Sequence, residues 1–378
     1  MKKIGICIAL CALVSLKINA QTQIDTREIG GITTALPFLL IIPDARAGGM
    51  GDMGVATSAD AFSLFHNPAK MSFSDRQVKA AITYSPWLRN LTDDIFTGSL
   101  TYTNRFSENA AWGANFKYFS LGQIDLTDKD GNPNGLIKPN ELAFTGSYAL
   151  KLSETFSMGV ALKYLRSNLT LTGVSGTLQP INSFAVGVSG YYQSYEENYG
   201  NFNGRYRIGF NIDNIGPKVS YVPGTDQEDF IPTNLKLGGG FDFILDDYNI
   251  ISTNVEFTKL LVPSPQTDGS DEEKGWIQGI FGSFGDSEDG FSGELSEFTY
   301  ALGAEYLYNQ AFALRAGYFH ESETNGNRQY FTLGGGFKTN ALNIDLSYLI
   351  NSSDVNNPLE NSLRFSLSFD LGEIYDNY

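Results

Sequence analysis

Residues 362–371 read SLRFSLSFDL, and the reading of this short stretch decides the fold. Leu363, Phe365, Leu367, Phe369 and Leu371 share one face, while Arg364, Ser366, Ser368 and Asp370 share the other. A period of two is the signature of a β-strand with unlike surroundings on its two sides. A strand of a soluble sandwich would alternate in the same way. What separates the two cases is where the aromatic residues sit and what the polar face carries.

The same pattern recurs up the chain. TFSMGVALKYL (155–165) places Phe156, Met158, Val160, Leu162 and Tyr164 together. RYRIGFNID (205–213) sets Tyr206, Ile208, Phe210 and Ile212 against Arg205, Arg207, Asn211 and Asp213. FTYALGAEYLY (298–308) sets Phe298, Tyr300, Leu302, Tyr306 and Tyr308 against Gly303 and Glu305. Aromatics gather near the strand ends of the apolar face, where a bilayer interface would hold them. The opposite face mixes Lys, Arg, Asp and Glu with Gly and Ser, which suits a watery or plugged lumen and not a dry core. The fold expected is therefore all-β, a transmembrane antiparallel barrel.

About fourteen such segments lie between Val78 and Leu371, at 78–86, 96–106, 110–121, 140–151, 155–166, 183–193, 204–214, 234–244, 248–259, 297–308, 311–320, 328–339, 341–350 and 362–371. An even number is what a bacterial single-chain barrel requires. The connections alternate in length, as inner turns and outer loops do. Those at 107–109, 152–154, 245–247, 309–310 and Thr339-Asn340 are short; those at 122–139, 167–182, 215–233 and 260–296 are long. Asn134-Gly135 and Asn325-Gly326 mark turns in the outer set. The inner connection at 194–203 is longer than its counterparts. This topology expects both termini on the periplasmic side.

Composition agrees: Gly 40, Tyr 20, Phe 27 and a mean hydropathy of -0.17 in a chain of 378 residues. Met1-Lys2-Lys3, the apolar IGICIALCALVS and INA ending at Ala20 read as a secretory signal peptide over 1–20. Both cysteines, Cys7 and Cys11, fall inside it, so disulfides, thiolate metal sites and a cysteine nucleophile are not expected of the mature chain. The net charge of -16 makes nucleic acid an unsuitable partner. Domains follow: an N-terminal hatch or plug over 21–77, the barrel over 78–371 and a tail over 372–378.

Within the hatch, AGGMGDMGVATSADAFSLFHNPAKM (47–71) contains a G-x-G-x-x-G at Gly49, Gly51 and Gly54. A dinucleotide fold would feed this turn from a strand and return through a βαβ unit, and neither is present. The glycines read better as small residues that let a hatch pass close to a barrel wall. No cofactor is expected. DLTDKDGNPNG (125–135) puts Asp128, Asp130 and Gly131 at calcium-loop positions, but Leu126 and Ile137 stand where oxygen ligands belong, so no metal is expected there. His320 beside Glu321 and Ser322 has no nucleophile motif around it, and adjacent strand residues point to opposite faces, so no catalytic residue and no enzyme is expected.

The loop at 260–296 is acidic in DGSDEEKG and GDSEDGFSGELSE, where charge mainly solvates. It also contains GWIQGIFGSFG, which carries Trp276, Ile277, Ile280, Phe281 and Phe284 to the outside. Trp276, Ile280 and Phe284 have the spacing of one helix face. Exposed aromatics mark a protein contact, and this loop is the candidate partner-contact surface.

ARAGGMGDMGVATSADAFSLFHNPAKMSF resembles the hatch of the FadL family of outer-membrane barrels, in which Asn-Pro-Ala precedes the first strand; here these are Asn67, Pro68 and Ala69. LPFLLIIPDARAGGMGDMGVATSADAFSLFHNPAKM (36–71) and NIDNIGPKVSY (211–221) are similar to the branch of that family that serves type IX secretion in Bacteroidetes. The resemblance implies a non-enzymatic barrel seated in outer-membrane lipid, associating with the translocon SprA (Sov), receiving cargo through C-terminal signal domains and handing it to the sortase PorU. The parent family implies a second reading, passive uptake of hydrophobic small molecules.

Overall fold

A computed structural model of the chain describes residues 31–375 except 88–91, 93, 129, 170–177, 225–227, 267–268, 272 and 354–361. The expected signal peptide (1–20), the first ten hatch residues (21–30) and the last three tail residues (376–378) lie outside the described residues.

Seventeen strands are described: β1 (Arg76–Pro86), β2 (Ile95–Arg105), β3 (Ala110–Leu121), β4 (Ile124–Thr127), β5 (Pro133–Ile137), β6 (Asn140–Lys151), β7 (Phe156–Asn168), β8 (Ile181–Gln193), β9 (Glu197–Asn198), β10 (Asn203–Ile215), β11 (Asn234–Ile244), β12 (Asn249–Leu260), β13 (Thr299–Tyr308), β14 (Phe312–His320), β15 (Gln329–Lys338), β16 (Leu342–Asn351) and β17 (Leu363–Ile374). Fourteen of them pair antiparallel with sequence neighbours, β17 pairs with β1, and the ring is complete. β4 and β5 form a separate hairpin in an outer loop, and β9 is a short extension of β10. The strands match the periodic segments of the sequence to within a few residues because one physical rule sets both. Closure lets the wall strands pair their N–H and C=O groups with one another all the way round, which hydrocarbon demands.

The faces are inverted relative to a soluble protein. Leu100, Phe144, Leu162, Ile208, Leu314 and Leu333 are exposed, whereas Lys117, Arg207, Glu256, Glu305, Asp345 and Arg364 are buried inside. Among the described residues no helix is long and apolar enough to cross a membrane. The fold is a closed β-barrel whose outer surface is apolar and whose interior is largely polar. The two-residue turn Asn309-Gln310 has φ of 51° and 52°, the left-handed pair that matches the twist of a tight hairpin. In the β4–β5 hairpin, Asp128 Oδ1 accepts from the N–H groups of Asp130 and Asn132 at 2.9 and 2.8 Å, so its carboxylate closes the turn.

One expectation needs correction, and the expected periplasmic placement of the N-terminus falls on residues outside the described ones. The last strand does not stop at Leu371: a bulge at Gly372, whose φ is +79°, carries pairing on to Ile374 opposite Arg76, so Gly372–Ile374 belong to the wall. The described C-terminal end lies at the short-turn rim. The described N-terminal end lies at the opposite rim: Ala35 N donates to Phe230 O in an outer loop, 2.9 Å. The reason is packing. Leu36 and Phe38 find their apolar cluster with Phe119, Leu165, Ile181, Val219 and Ile231 at the outer ends of β3, β7 and β8 and in the adjoining loop.

Lipid-facing positions carry a specific cost. Leu367→Arg near mid-strand should destabilise the folded barrel by about 2–4 kcal/mol in vesicle-based unfolding titrations, while Phe369→Tyr should change it by less than about 1 kcal/mol.

Candidate functional site

The barrel is filled. Residues 44–74 run through its middle as two short turns of α-helix (Ala45–Gly48 and Ser63–His66) and a 3-10 helix (Pro68–Phe73), joined by coil, and most of them are buried. Above this partition, toward the outer loops, lies a cavity of about 700 Å³ bordered by Phe38, Trp87, Phe119, Lys163, Lys236 and Arg364. Below it is a smaller space of about 340 Å³ bordered by Arg46, Arg207, Glu305 and Arg315.

The three motif glycines each meet something a side chain would strike. Gly51 has φ +76° and a Cβ there would stand 2.9 Å from Tyr318 O on β14. A Cβ on Gly49 would stand 3.0 Å from Gly334 Cα on β15, and one on Gly54 would overlap the His66 ring. The motif therefore packs backbone against wall, and no phosphate cradle is formed. Gly54 N and Val55 N both donate to Glu256 Oε2, at 2.7 and 2.8 Å, so a wall carboxylate takes the place an anion would occupy.

Asn67, Pro68 and Ala69 join the hatch to β7 and β8. Asn67 caps the 3-10 helix, its Oδ1 accepting from Ala69 N at 3.1 Å, and Pro68 occupies the first helical position where its missing N–H costs nothing. Asn67 Nδ2 donates both to Val55 O (2.9 Å) and to Gly190 O on β8 (3.0 Å). Ala69 O accepts from Ser157 Oγ on β7 at 2.8 Å. One asparagine thus ties two hatch segments and the wall together.

Charges bind hatch to wall where no sequence spacing could reveal it. Arg46 bridges Asp60 (2.7 Å) and Glu305 (2.9 Å), and Arg315 joins Glu305 (2.6 Å) to Asp345 (2.6 Å). Asp52 pairs with Arg364 and accepts from Tyr330 Oη at 2.6 Å. His66 Nε2 meets Asp44 Oδ2 at 2.8 Å, both fully buried. Lys70, fully buried, donates to Gly54 O (2.8 Å) and Thr57 Oγ1 (2.9 Å). Burial pushes its ammonium down to about 8 even though Asp60 pulls the other way. Burial would raise the Asp60 carboxyl, but Lys70 and Arg46 hold it well below the usual carboxylate range.

Lys117 was not singled out by any motif, yet its Nζ holds the outermost hatch segment, donating to Phe38 O (2.7 Å) and Ile41 O (2.5 Å). NIDNIGPKVSY has a local role too. Asn214 takes φ 57° at a bulge in β10, and Lys163 Nζ bonds Asp213 (2.5 Å) and Asn214 Oδ1 (2.8 Å).

The outer loop between β12 and β13 folds as a flap with two short helices, Trp276–Gly282 and Gly290–Ser296. Its aromatic residues divide differently from the helical-face expectation. Trp276 and Ile280 are half-buried, and a Cβ on Gly279 would stand 2.8 Å from Phe230, so that face packs on the rim. Ile277, Phe281 (76% exposed) and Phe284 point away, joined by Phe291 (84% exposed) and Leu295. Phe291 and Leu295, four apart in the second helix, sit inside an acidic run that masked their apolar pairing. The flap is pinned by Lys259, fully buried, whose Nζ lies 3.1 Å from Glu294 and also bonds Glu297. Asp286, Glu294 and Glu297 converge there, and Lys259 with Lys274 supplies the countercharge. His320 stacks on Tyr300 at 4.6 Å on the outer wall, while Glu321 turns inward to Arg328, so the two are not a catalytic pair.

Two outcomes follow. Gly51→Val should abolish the heat-modifiable folded band on electrophoresis whereas Gly335→Ala, with its nearest neighbour at 3.9 Å, should retain it, and added dinucleotide should leave the unfolding temperature of the wild type unchanged. Lys70 is held below its unfolded value, so between about pH 8 and 10.5 the unfolded chain binds the extra proton and stability rises with pH. Unfolding titrations of wild type across that window should gain up to about 3 kcal/mol relative to Lys70→Met.

Comparison with known proteins follows the geometry. The toluene transporter TodX of Pseudomonas putida superposes with a TM-score of 0.50 at 11% identity, over 85% of this chain and 95% of that one. The monoaromatic hydrocarbon channel CymD gives 0.50 at 15%, over 87% and 97%. At such identities the likeness is one of fold, the FadL-like barrel. No curated protein sequence matches the chain. The family model of the type IX secretion system protein PorV matches residues 23–267, which take in the described hatch and the wall from β1 through β12. On that match the chain belongs to the PorV family of type IX secretion system proteins.

Proposed function

We propose that the protein works in type IX secretion as a non-enzymatic docking barrel. In this reading it associates with the SprA (Sov) translocon through the flap, receives cargo bearing C-terminal signal domains and passes it to the PorU attachment complex. The observation that carries the reading is the contrast between interior and rim. The lumen is crossed by a hatch whose charges are paired with the wall, while Ile277, Phe281, Phe284, Phe291 and Leu295 of one flap are each exposed at the outer rim. Apolar groups of this size left exposed are the usual core of a protein contact, and acidic neighbours such as Asp271, Glu288 and Asp289 would form its polar rim.

A second reading has one observation in its favour. The outer cavity of about 700 Å³ is lined in part by Pro37–Pro43, an apolar stretch, and would suit a hydrophobic small molecule of the kind named for the toluene transporter and the hydrocarbon channel. Against it stand the buried charges on the way through, Glu256, Glu305, Arg315 and Arg364 among them. Mass spectrometry of the purified protein distinguishes the two: a stoichiometric hydrophobic ligand, with secretion intact on deletion, supports uptake.

The docking reading predicts that Ile277→Ala, Phe281→Ala and Phe291→Ala combined lower co-purification of the translocon by about 10-fold or more and reduce cargo release, with the folded band on electrophoresis retained. Unchanged co-purification with a folded barrel would end that reading. Trp276→Ala serves as a comparator, since this residue is half-buried and its loss should loosen the flap itself.

A further inference from the structure

Asn-Gly pairs occur in the chain at 134–135, 203–204 and 325–326, all among the described residues. In such a pair the glycine main-chain nitrogen, unshielded by any side chain, can close a succinimide ring onto the asparagine Cγ. The pairs differ in what holds that amide. Asn203 is locked in the wall: its main chain pairs with Asn198 and Ile244, its Nδ2 donates to Glu196 Oε1 at 2.7 Å, and its Oδ1 accepts from Asn198 Nδ2 at 2.8 Å. Asn325 is half-buried in a 3-10 turn, and its Nδ2 donates to Ser296 O at 2.8 Å.

Asn134-Gly135 has neither restraint. Its composition marks a turn, yet it lies inside β5, where Thr127 faces Pro133 and Asp125 faces Leu136. Leu126 therefore faces both residues, the two-against-one count of a β-bulge. Gly135 has φ +116°, and a Cβ there would meet no atom within 4 Å. Asn134 is exposed, and its side chain makes no hydrogen bond among the described residues. The hairpin it belongs to stands apart from the barrel ladder as a separate two-stranded sheet.

We propose that Asn134 is a site of spontaneous deamidation and isoaspartate formation in this outer hairpin. Gly135 N gives its proton to water and bonds Asn134 Cγ, the Cγ–Nδ2 bond breaks, and the amide nitrogen takes up a proton and leaves as ammonia. Water then opens the succinimide at one of its two C–N bonds. One opening leaves aspartate at 134; the other routes the main chain through the side-chain carboxyl as isoaspartate. Both add a negative charge to a hairpin that already carries Asp125, Asp128 and Asp130. Isoaspartate also inserts a methylene into the main chain, which breaks the alternation that buries Ile137 and exposes Leu136. The reaction needs only water and does not depend on what the protein docks or carries.

The test incubates the full chain, folded in micelles at mildly alkaline pH, in water enriched in heavy oxygen, and maps its peptides by mass spectrometry. Asn134 should take up label at least about 10-fold faster than Asn203 or Asn325, whereas in the denatured chain the three rates should fall within about 3-fold of one another. An isoaspartyl methyltransferase should tag the peptide containing position 134, and Asn134→Gln should abolish that tag. Gly135→Ala, whose methyl shields the nitrogen, should slow labelling with the folded band on electrophoresis retained. Limited proteolysis should cut the aged hairpin faster than that of Asn134→Asp, which has the charge without the extra methylene. The proposal is overturned if Asn203 or Asn325 converts first in the folded protein, if position 134 gains label without isoaspartate, if Gly135→Ala leaves the rate unchanged, or if aged protein and Asn134→Asp are cut alike.

Discussion

A polypeptide in hydrocarbon has nowhere to send an unpaired peptide group, and the rest of this molecule follows from that constraint. It forces the wall into a closed ring, completed where β17 meets β1. Closure then creates an inside, and strand geometry sends every second side chain into it. Most of those side chains are polar, and so many polar groups confined in one tube need partners. The hatch supplies them: Glu256 receives two backbone N–H groups, Glu305 receives Arg46, and Arg364 receives Asp52.

This explains why a segment with so little regular structure is so firmly fixed. Residues 44–74 contain only helices of four to six residues and small apolar clusters such as Met50 and Met53 on Ala301. Their position comes from main-chain contact at glycines and from ion pairs that would be costly to strip apart in a confined space. A wall that grips its contents at so many points differs from a pore with a swinging gate. On the reading proposed above, contact with other proteins falls to the flap at the outer rim.

The wall was legible in the sequence because each strand position answers to one of two solvents, and SLRFSLSFDL already displays both. Boundaries slipped where local geometry broke the period: Gly372 reads as a stop yet serves as a bulge. The hatch was legible as small residues followed by Asn67-Pro68-Ala69, but its path was not, because its partners lie hundreds of residues away; Ala45 N bonds Ser366 Oγ across 321 positions. No periodicity encodes such a contact. The flap illustrates a subtler limit. Helical spacing groups Trp276 with Ile280 correctly, but which side of that helix meets the rim is decided by Phe230 and Pro263, residues outside the segment.

The placement of the described N-terminal end at the outer rim bears on how the molecule is built. Residues 31–43 lie at one mouth and β1 begins at the other, so the chain runs the length of the tube before the wall starts. A finished tube offers no sideways opening through which that run could be inserted. The strand that closes the ring is also the last to be synthesised, and it carries Ser366 and Arg364, which bond Ala45 and Asp52 of the interior segment. Sealing the wall and seating its contents are therefore one step, and a chain whose interior segment is misplaced presents its final strand with an incomplete surface to close upon.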